Sequence, residues 1–483
     1  MNKPKNFLWH DYETFGANPM VDRPAQFAAQ RTDANLRPIG KPITWYCAPA
    51  DDMLPHPMAC LITGITPQQA LSKGVIETQF AQLILDEMMQ PGTCSVGYNS
   101  IRFDDAVTRN LLYRNLRDPY QREWKNGNSR WDIIDLARMC YALRPAGLEW
   151  PLHENGKPSF RLEDLSRANG IEHADAHDAL ADVHATIELA KRLRQAQPRL
   201  FDWALRMRDK KFVAGLLDPT DPSILLHSSA KIAAERGCTT LMLPLAVDPA
   251  RPTAIIAYDL AADPAALIEE SPATIHDLVF TPAADLPVDV ERLPLKRIAS
   301  NHVPMIAPLA TLKGVDCERI MLDPEQCKRN ARLLIDHLPL VRGKVAEVFA
   351  LPSWGPKESS DPDHMLYSGA FFSAADRHLL DKVLSTSPAE LTQHQWPFQD
   401  SRLPLMLFRY RARNYPATLT AKEVEQWDAD RRFRLTHGAG PKAFTLDDFR
   451  LVASELRELR KYDPRAQRIL DKLDAWLLEI GLL

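Results

Sequence analysis

The sequence predicts an α/β chain in three parts: a mixed-sheet domain over residues 1–197, a small β-barrel or α+β module over 198–350, and a helical region over 351–483. Three observations carry this reading. A chain of 483 residues exceeds the size at which a single hydrophobic core keeps growing. Strand-like and helix-like patterns alternate over its first part, as in a sheet covered by helices. Its last part carries helix-start signals followed by apolar residues at helical spacing.

The first element is a strand, Phe7-Leu8-Trp9-His10-Asp11-Tyr12-Glu13. Alternating stretches at Gln26–Thr32 and Ile43–Cys47 predict two further strands. Thr66-Pro67 reads as a helix start with proline in its first turn, and an amphipathic helix follows over Thr78–Met89. Ser95-Val96-Gly97-Tyr98-Asn99 predicts a buried strand running into a turn. Helices are then expected over Asp104–Leu112, Ile133–Leu143, Arg161–Asn169 and Ala176–Gln195.

In the second part, Thr239–Leu245 and Ala254–Leu260 predict strands joined by a proline-rich turn, with two more at Leu295–Ile298 and Val303–Ile306, around a single helix near Ala265–Leu278. Residues 351–368 read as a linker. Beyond it, Ser373-Ala-Ala-Asp376 and Thr445-Leu-Asp-Asp448 have capping-box spacing, and Asp463-Pro464 places an N-cap before a proline.

Seven scattered cysteines without a Cys-x-x-Cys pair argue for a reducing compartment, against both a disulfide framework and a cysteine zinc site. The N-terminus does not read as a signal peptide, and no apolar run approaches the ~18–20 residues that span a bilayer. A cytoplasmic monomer without membrane attachment is expected. The net charge of −4 conceals asymmetry: Lys191–Lys211 holds eight Lys/Arg against two acids, Ser401–Thr420 four arginines and no acid, and Pro252–Glu291 eight acids and no Lys/Arg. Basic stretches of this kind are compatible with a polyanionic partner, and equally with ordinary solvated faces.

Asp11 and Glu13 stand two apart on a strand and therefore share a face. Like charges held so close repel, and a divalent cation between them removes the conflict; hard oxygen donors suit Mg2+ or Mn2+. An acid after the Gly97-Tyr98-Asn99 turn and Asp182, with a histidine five residues before it, add two carboxylates and an imidazole. Four acids suit two divalent ions clamping the attacking and leaving oxygens of a phosphodiester. An imidazole suits deprotonating water.

The ordered set Asp11-Tyr-Glu13, Asn99-Ser-Ile-Arg-Phe103-Asp104 and His177-Asp-Ala179-Leu-Ala-Asp182 resembles the DEDDh 3′→5′ exonucleases, with one residue more between Asn and Phe than their plainest form. The resemblance prefers Asp104 over Asp105. It also prefers His177 over the equally spaced His173, which lacks the alanine. His10–Gly16, Asp22–Ala29, Asn128–Asp132, Pro158–Leu162, Asn169–His173 and Tyr410–Pro416 extend the similarity to bacterial exonuclease I, essentially end to end.

That resemblance implies a ribonuclease H-like exonuclease domain, an SH3-like barrel and a helical domain. It implies processive 3′→5′ degradation of single-stranded DNA to 5′-mononucleotides in DNA repair and recombination. Two Mg2+ ions (Mn2+ substituting) would be held by Asp11, Glu13, Asp104 and Asp182, with His177 as general base. An RNA 3′→5′ exonuclease and a non-catalytic single-strand binding protein remain alternatives at this stage. Phe408–Tyr415 interleaves arginines with aromatics. It reads either as a core-packed helix or as a strand-gripping surface. The implied DNA contacts are Arg409, Tyr410, Arg411, Arg413, Tyr415, Asn99, Arg161 and Arg130. A second implied partner is the acidic C-terminal tail of single-stranded DNA-binding protein. Arg144, Trp203 and Lys313 are its expected contacts.

Overall fold

A computed structural model describes residues 4–173, 178–351, 359–440 and 443–483. The described residues fall into two compact units. One draws on Pro4–Ser129, the stretch ending at His184 and the C-terminal stretch to Leu483; the other on Arg130–His173 and the stretch that starts at Ala185.

In the first unit, β1 (Asn6–Thr14), β2 (Pro24–Asp33), β3 (Pro38–Tyr46) and β4 (Thr93–Gly97) lie in the order β3-β2-β1-β4. β1 pairs antiparallel with β2 and parallel with β4, so the sheet is mixed. β1 is central and almost wholly buried, whereas β3 is largely exposed and tolerates Pro38 and Pro42. On one face, Leu8, Tyr12 and Phe27 pack against Phe80 and Ile84 of the Glu77–Met88 helix and Val107 and Leu111 of the Asp104–Arg114 helix.

The C-terminal helices share a core with this unit. Leu470, Trp476 and Phe449 pack against Phe15, Met53 and Leu54, and the Trp476 indole donates to the Met53 carbonyl at 3.2 Å. Their starts follow the local signals. Ser373 accepts from the Asp376 N–H, Thr445 and Asp448 close a reciprocal box, and Asp463 caps the helix that begins at Pro464.

The chain leaves this unit at Ser129, the first residue of β5 (Ser129–Asp132). The second unit contains β6 (Leu225–Ser228), β7 (Thr239–Asp248), β8 (Arg251–Asp259), β9 (Leu295–Ala299) and β10 (Met305–Pro308). They form an antiparallel sheet in the order β10-β6-β7-β8-β9. The expected single helix is instead two, Ala265–Glu269 and Pro272–Phe280. The break falls where Ser271 accepts from the Thr274 N–H and starts a new helix with Pro272. Two further helices, Pro324–Asp336 and Leu338–Ala350, correct the reading of strands around one helix; Asp323 caps the first of them. Among the described residues, no helix is long and apolar enough to cross a membrane.

Candidate active site

The site forms where β1 outruns its parallel neighbour. Pairing between β1 and β4 stops at Trp9 opposite Val96, while β1 continues to Thr14 beside β2. The last residues of β1 therefore lack a strand on one side. The chain after β4 turns sharply there. A Cβ on Gly97 would lie 2.6 Å from the Ser100 Cβ and 3.0 Å from the His10 carbonyl oxygen, so only glycine permits the approach. Asn99 follows with φ of 62°, a left-handed conformation that asparagine tolerates better than most residues.

This turn delivers the helix Asp104–Arg114 to the strand edge. An Asp104 carboxylate oxygen accepts from the Tyr12 backbone N–H at 3.1 Å, in place of a strand partner. Tyr12 lies between Asp11 and Glu13 in the chain, so this bond sets Asp104 in register with both. Behind it, Arg122, fully buried, donates to Asp105 at 2.6 Å. His10 points to the opposite face from Asp11 and stacks on Phe27, and burial pushes its imidazole down to about 4, so it is neutral.

Asp182 arrives on the helix Ala179–Ala196. Donor oxygens of Asp11, Glu13 and Asp182 all lie within 4.8 Å of one another. Burial, then Asp104, Asp182, Glu13 and Asp178, raise the Asp11 carboxyl well above its ordinary value. Burial followed by Asp182, Asp104 and Asp178 pushes Glu13 up to about 9. Crowded, desolvated carboxylates of this kind require protons or cations, and an all-oxygen donor set fits a hard divalent ion. His177 lies outside the described residues.

Asp178 is a residue that sequence reasoning passed over, although an Asp just before an apolar helical stretch is an N-cap signal. Its carboxylate accepts from the Leu180 and Ala181 N–H groups at 3.1 and 3.3 Å, and its carbonyl accepts from Asp182.

The arginine-rich helix, Leu403–Asn414, is placed on the core side of the two readings. Arg409 is held by Asp361, Asp363 and Asp430; Arg411 by Glu423 and the Thr418 carbonyl; Arg413 by Asp52 and Asp363. All three are buried, because each finds a carboxylate inside the same unit. Tyr410 is buried too, its hydroxyl 3.1 Å from that of Thr78, and Tyr415 packs edge-on against it. Arg161 is exposed, Asn99 is half-buried at its turn, and Arg130 donates to the Asn301 carbonyl at 2.8 Å. Arg144 and Lys313 come together: the Arg144 guanidinium donates to the carbonyls of Leu143, Thr311 and Lys313. The Trp203 indole donates to the Ile306 carbonyl at 2.7 Å.

A carboxylate cluster at the end of a mixed-sheet strand, completed from two helices, defines a metal-dependent nuclease. Comparison with known proteins agrees. Residues 8–190 match the Exonuclease family model, 208–351 the Exonuclease I SH3-like domain and 360–480 the Exonuclease I C-terminal domain. Exodeoxyribonuclease I of Escherichia coli K12 is 47% identical over 427 residues, 88% of this chain and 89% of that protein. Exonuclease I from Methylocaldum szegediense superposes with a TM-score of 0.92 at 46% identity, covering 98% of this chain and 99% of that one. The E. coli exonuclease I complex with a dA16 oligonucleotide also gives 0.92, at 43% identity over 99% and 100% of the two chains. Two further structures are a zinc-bound complex of E. coli exonuclease I with single-stranded DNA and a complex of SSB and exonuclease I with an inhibitor; their TM-scores are 0.91 and 0.88, at 44% and 42% identity over 99% of this chain and 99% and 100% of theirs. The chain belongs to the exonuclease I family. It is an enzyme, with a ribonuclease H-like exonuclease domain, an SH3-like domain and a helical C-terminal domain.

Proposed function

We propose that this chain is a 3′→5′ exodeoxyribonuclease that removes 5′-mononucleotides from single-stranded DNA, in DNA repair and recombination. The observation that carries the reading is the convergence of Asp11, Glu13 and Asp182 within 4.8 Å, with Asp104 tied to the strand between the first two. In this reading Asp11, Glu13, Asp104 and Asp182 hold two divalent ions, Mg2+ with Mn2+ as a substitute. When bound, such ions supply charge for the phosphoryl oxygens and lower the pKa of the attacking water. His177 takes the proton of that water as general base. The water oxygen bonds to the phosphorus of the 3′-terminal phosphodiester as the P–O3′ bond breaks and the 5′-mononucleotide leaves; the departing 3′-oxygen takes a proton from solvent and becomes the 3′-hydroxyl of the shortened strand.

The domain limits we assign are 1–197, 198–350 and 351–483. Arg161 and Asn99 are assigned to the DNA strand; Arg130, buried and bonded to the Asn301 carbonyl, and Arg409, Arg411, Arg413, Tyr410 and Tyr415 are assigned to packing within the protein. Arg144, Lys313 and Trp203 are assigned to the acidic C-terminal tail of single-stranded DNA-binding protein, in line with the solved complex of SSB and exonuclease I. A cytoplasmic monomer is the expected form.

The test is digestion of 5′-labelled DNA and RNA oligonucleotides with Mg2+, with and without EDTA. A ladder shortening from the 3′ end of DNA, abolished by EDTA, is expected. Digestion of RNA alone, or digestion indifferent to EDTA, overturns the reading.

A further inference from the structure

On β2, Gln26 stands directly opposite Glu13 of β1 and opposite Tyr46 of β3. Opposite residues of an antiparallel pair share a face, so the three side chains form a row that starts at the carboxylate cluster. Gln26 is 1% exposed, and both ends of its amide are used. Its Nε2 donates to the Tyr46 hydroxyl at 2.9 Å, which turns its Oε1 the other way. That oxygen accepts from the backbone N–H of Ala179 at 3.2 Å, across 153 residues of sequence. Tyr46 is itself held, with the Lys73 ammonium 5.2 Å over its ring.

Ala179 is the first residue of the helix that carries Asp182, and it is fully buried. The first N–H groups of a helix have no partner within it. Asp178 meets those of Leu180 and Ala181; that of Ala179 is met from the sheet. The bond therefore does more than cap. It ties the helix start to the strand next to β1, one turn from Asp182. The chemistry of the position is narrow. An apolar side chain would strand a buried donor, while a carboxylate would add another negative charge directly beside Glu13. A neutral acceptor on a long side chain is what the place takes.

We propose that Gln26, oriented by Tyr46, is a positioning residue for phosphodiester hydrolysis: it sets the Asp182 helix at the height over β1 at which Asp182 shares a cation with Asp11 and Glu13. This rests on the function proposed above. Groups that orient metal ligands contribute roughly 10–100-fold to metal affinity or activity.

The test uses the full chain with Gln26→Met, which keeps length and loses both hydrogen bonds, and Tyr46→Phe, which loses only the orienting hydroxyl. Mn2+ affinity is read from the paramagnetic resonance signal of unbound Mn2+, without DNA. Digestion of a single-stranded oligonucleotide gives kcat and KM, and melting reports folding. For Gln26→Met, Mn2+ affinity and kcat should each fall by roughly 10–100-fold, with KM for DNA unchanged; Tyr46→Phe should move the same way by less. Wild-type Mn2+ affinity and kcat in a folded Gln26→Met, even with a lowered melting temperature, overturn the proposal. So does a loss confined to KM. Should Gln26→Met not fold, Tyr46→Phe decides by the same two readouts. If the wild-type chain digests no DNA, the function fails by itself, and the Mn2+ comparison still decides whether Gln26 sets the cluster.

Discussion

The Asp104 carboxylate and the Tyr12 backbone N–H, 92 residues apart in the chain, are hydrogen-bonded at 3.1 Å. The bond exists because β4 ends before β1 does, so a backbone donor is left for a side chain to take. Its consequence is separable from the charge it brings. Asp104→Asn keeps an acceptor for Tyr12 but gives up a negative charge in a crowded cluster. We predict that it melts no lower than wild type without metal, while activity falls at least about 10²-fold, the scale on which single electrostatic groups act in active sites. Asp104→Ala also strands the Tyr12 donor and should cost roughly 1–3 kcal/mol of stability. Thermal melting in EDTA beside initial digestion rates checks both; near-native activity of Asp104→Asn would remove it from the site.

The raised carboxyls make a second prediction, about pH. Glu13 sits at about 9, against an ordinary value near 4.5, because of burial and then Asp182, Asp104 and Asp178; Asp11 is displaced in the same direction. Between those limits the folded chain holds more protons than the unfolded chain. Stability must therefore fall as pH rises through that window. Melting temperatures in EDTA should decline from pH 5 to 9. Mg2+ displaces the protons and should recover most of the loss, increasingly so at higher pH. A flat profile in EDTA, unaffected by Mg2+, would contradict the crowding of these acids.

What was legible in the sequence follows the range of the interactions. Asp11 and Glu13 could be paired because strand alternation is local, and Thr445, Ser373 and Asp463 could be placed because caps act within one turn. Ser271-Pro272 was an equally local signal of a helix start inside a span read as one helix. The bonds that assemble the site are not local. Neither the Tyr12–Asp104 bond nor the Gln26–Ala179 bond has a spacing to betray it, since each is set by strand register and by where a neighbouring strand stops. The arginines of Leu403–Asn414 were ambiguous for the same reason. Their periodicity allows a core or a surface, and the deciding carboxylates, Asp52 and Asp363, lie far away in the chain.

Those arginines carry a third prediction. The Arg413 side chain is 1% exposed, between Asp52 and Asp363. Burial by itself would raise these carboxyls; Arg413, with Arg23 and Arg434 at Asp52 and with Arg409 and Arg434 at Asp363, holds both below the ordinary range. Removing Arg413 leaves two buried carboxylates short of a partner, and losses of this kind run to roughly 3–5 kcal/mol. Arg413→Ala should thus melt much lower than wild type at neutral pH. The deficit should shrink only in strong acid, where both carboxylates are protonated. Arg161→Ala, at an exposed position, should leave melting unchanged and reduce the salt slope of DNA binding by about 1. The opposite pattern would put Arg413 on the DNA.

The last prediction separates proton transfer from cation holding. His177 precedes Asp182 by five residues, and its assignment rests on the His-x-Ala-x-x-Asp spacing with Ala179. General bases contribute roughly 10²–10⁴-fold to turnover, so His177→Ala should lose kcat on that scale. A general base adds no oxygen ligand to the cation-holding set, so Mn2+ affinity should stay within about threefold of wild type, under 1 kcal/mol at 1.4 kcal/mol per tenfold. The pH profile of kcat should lose its acidic limb, because that limb is the protonation of the imidazole. Asp182→Ala differs in kind: turnover and Mn2+ affinity should fall together. If His173→Ala produces the loss and His177→Ala does not, the base is the earlier histidine. If His177→Ala abolishes Mn2+ binding as fully as Asp182→Ala, the imidazole holds a cation instead of moving a proton.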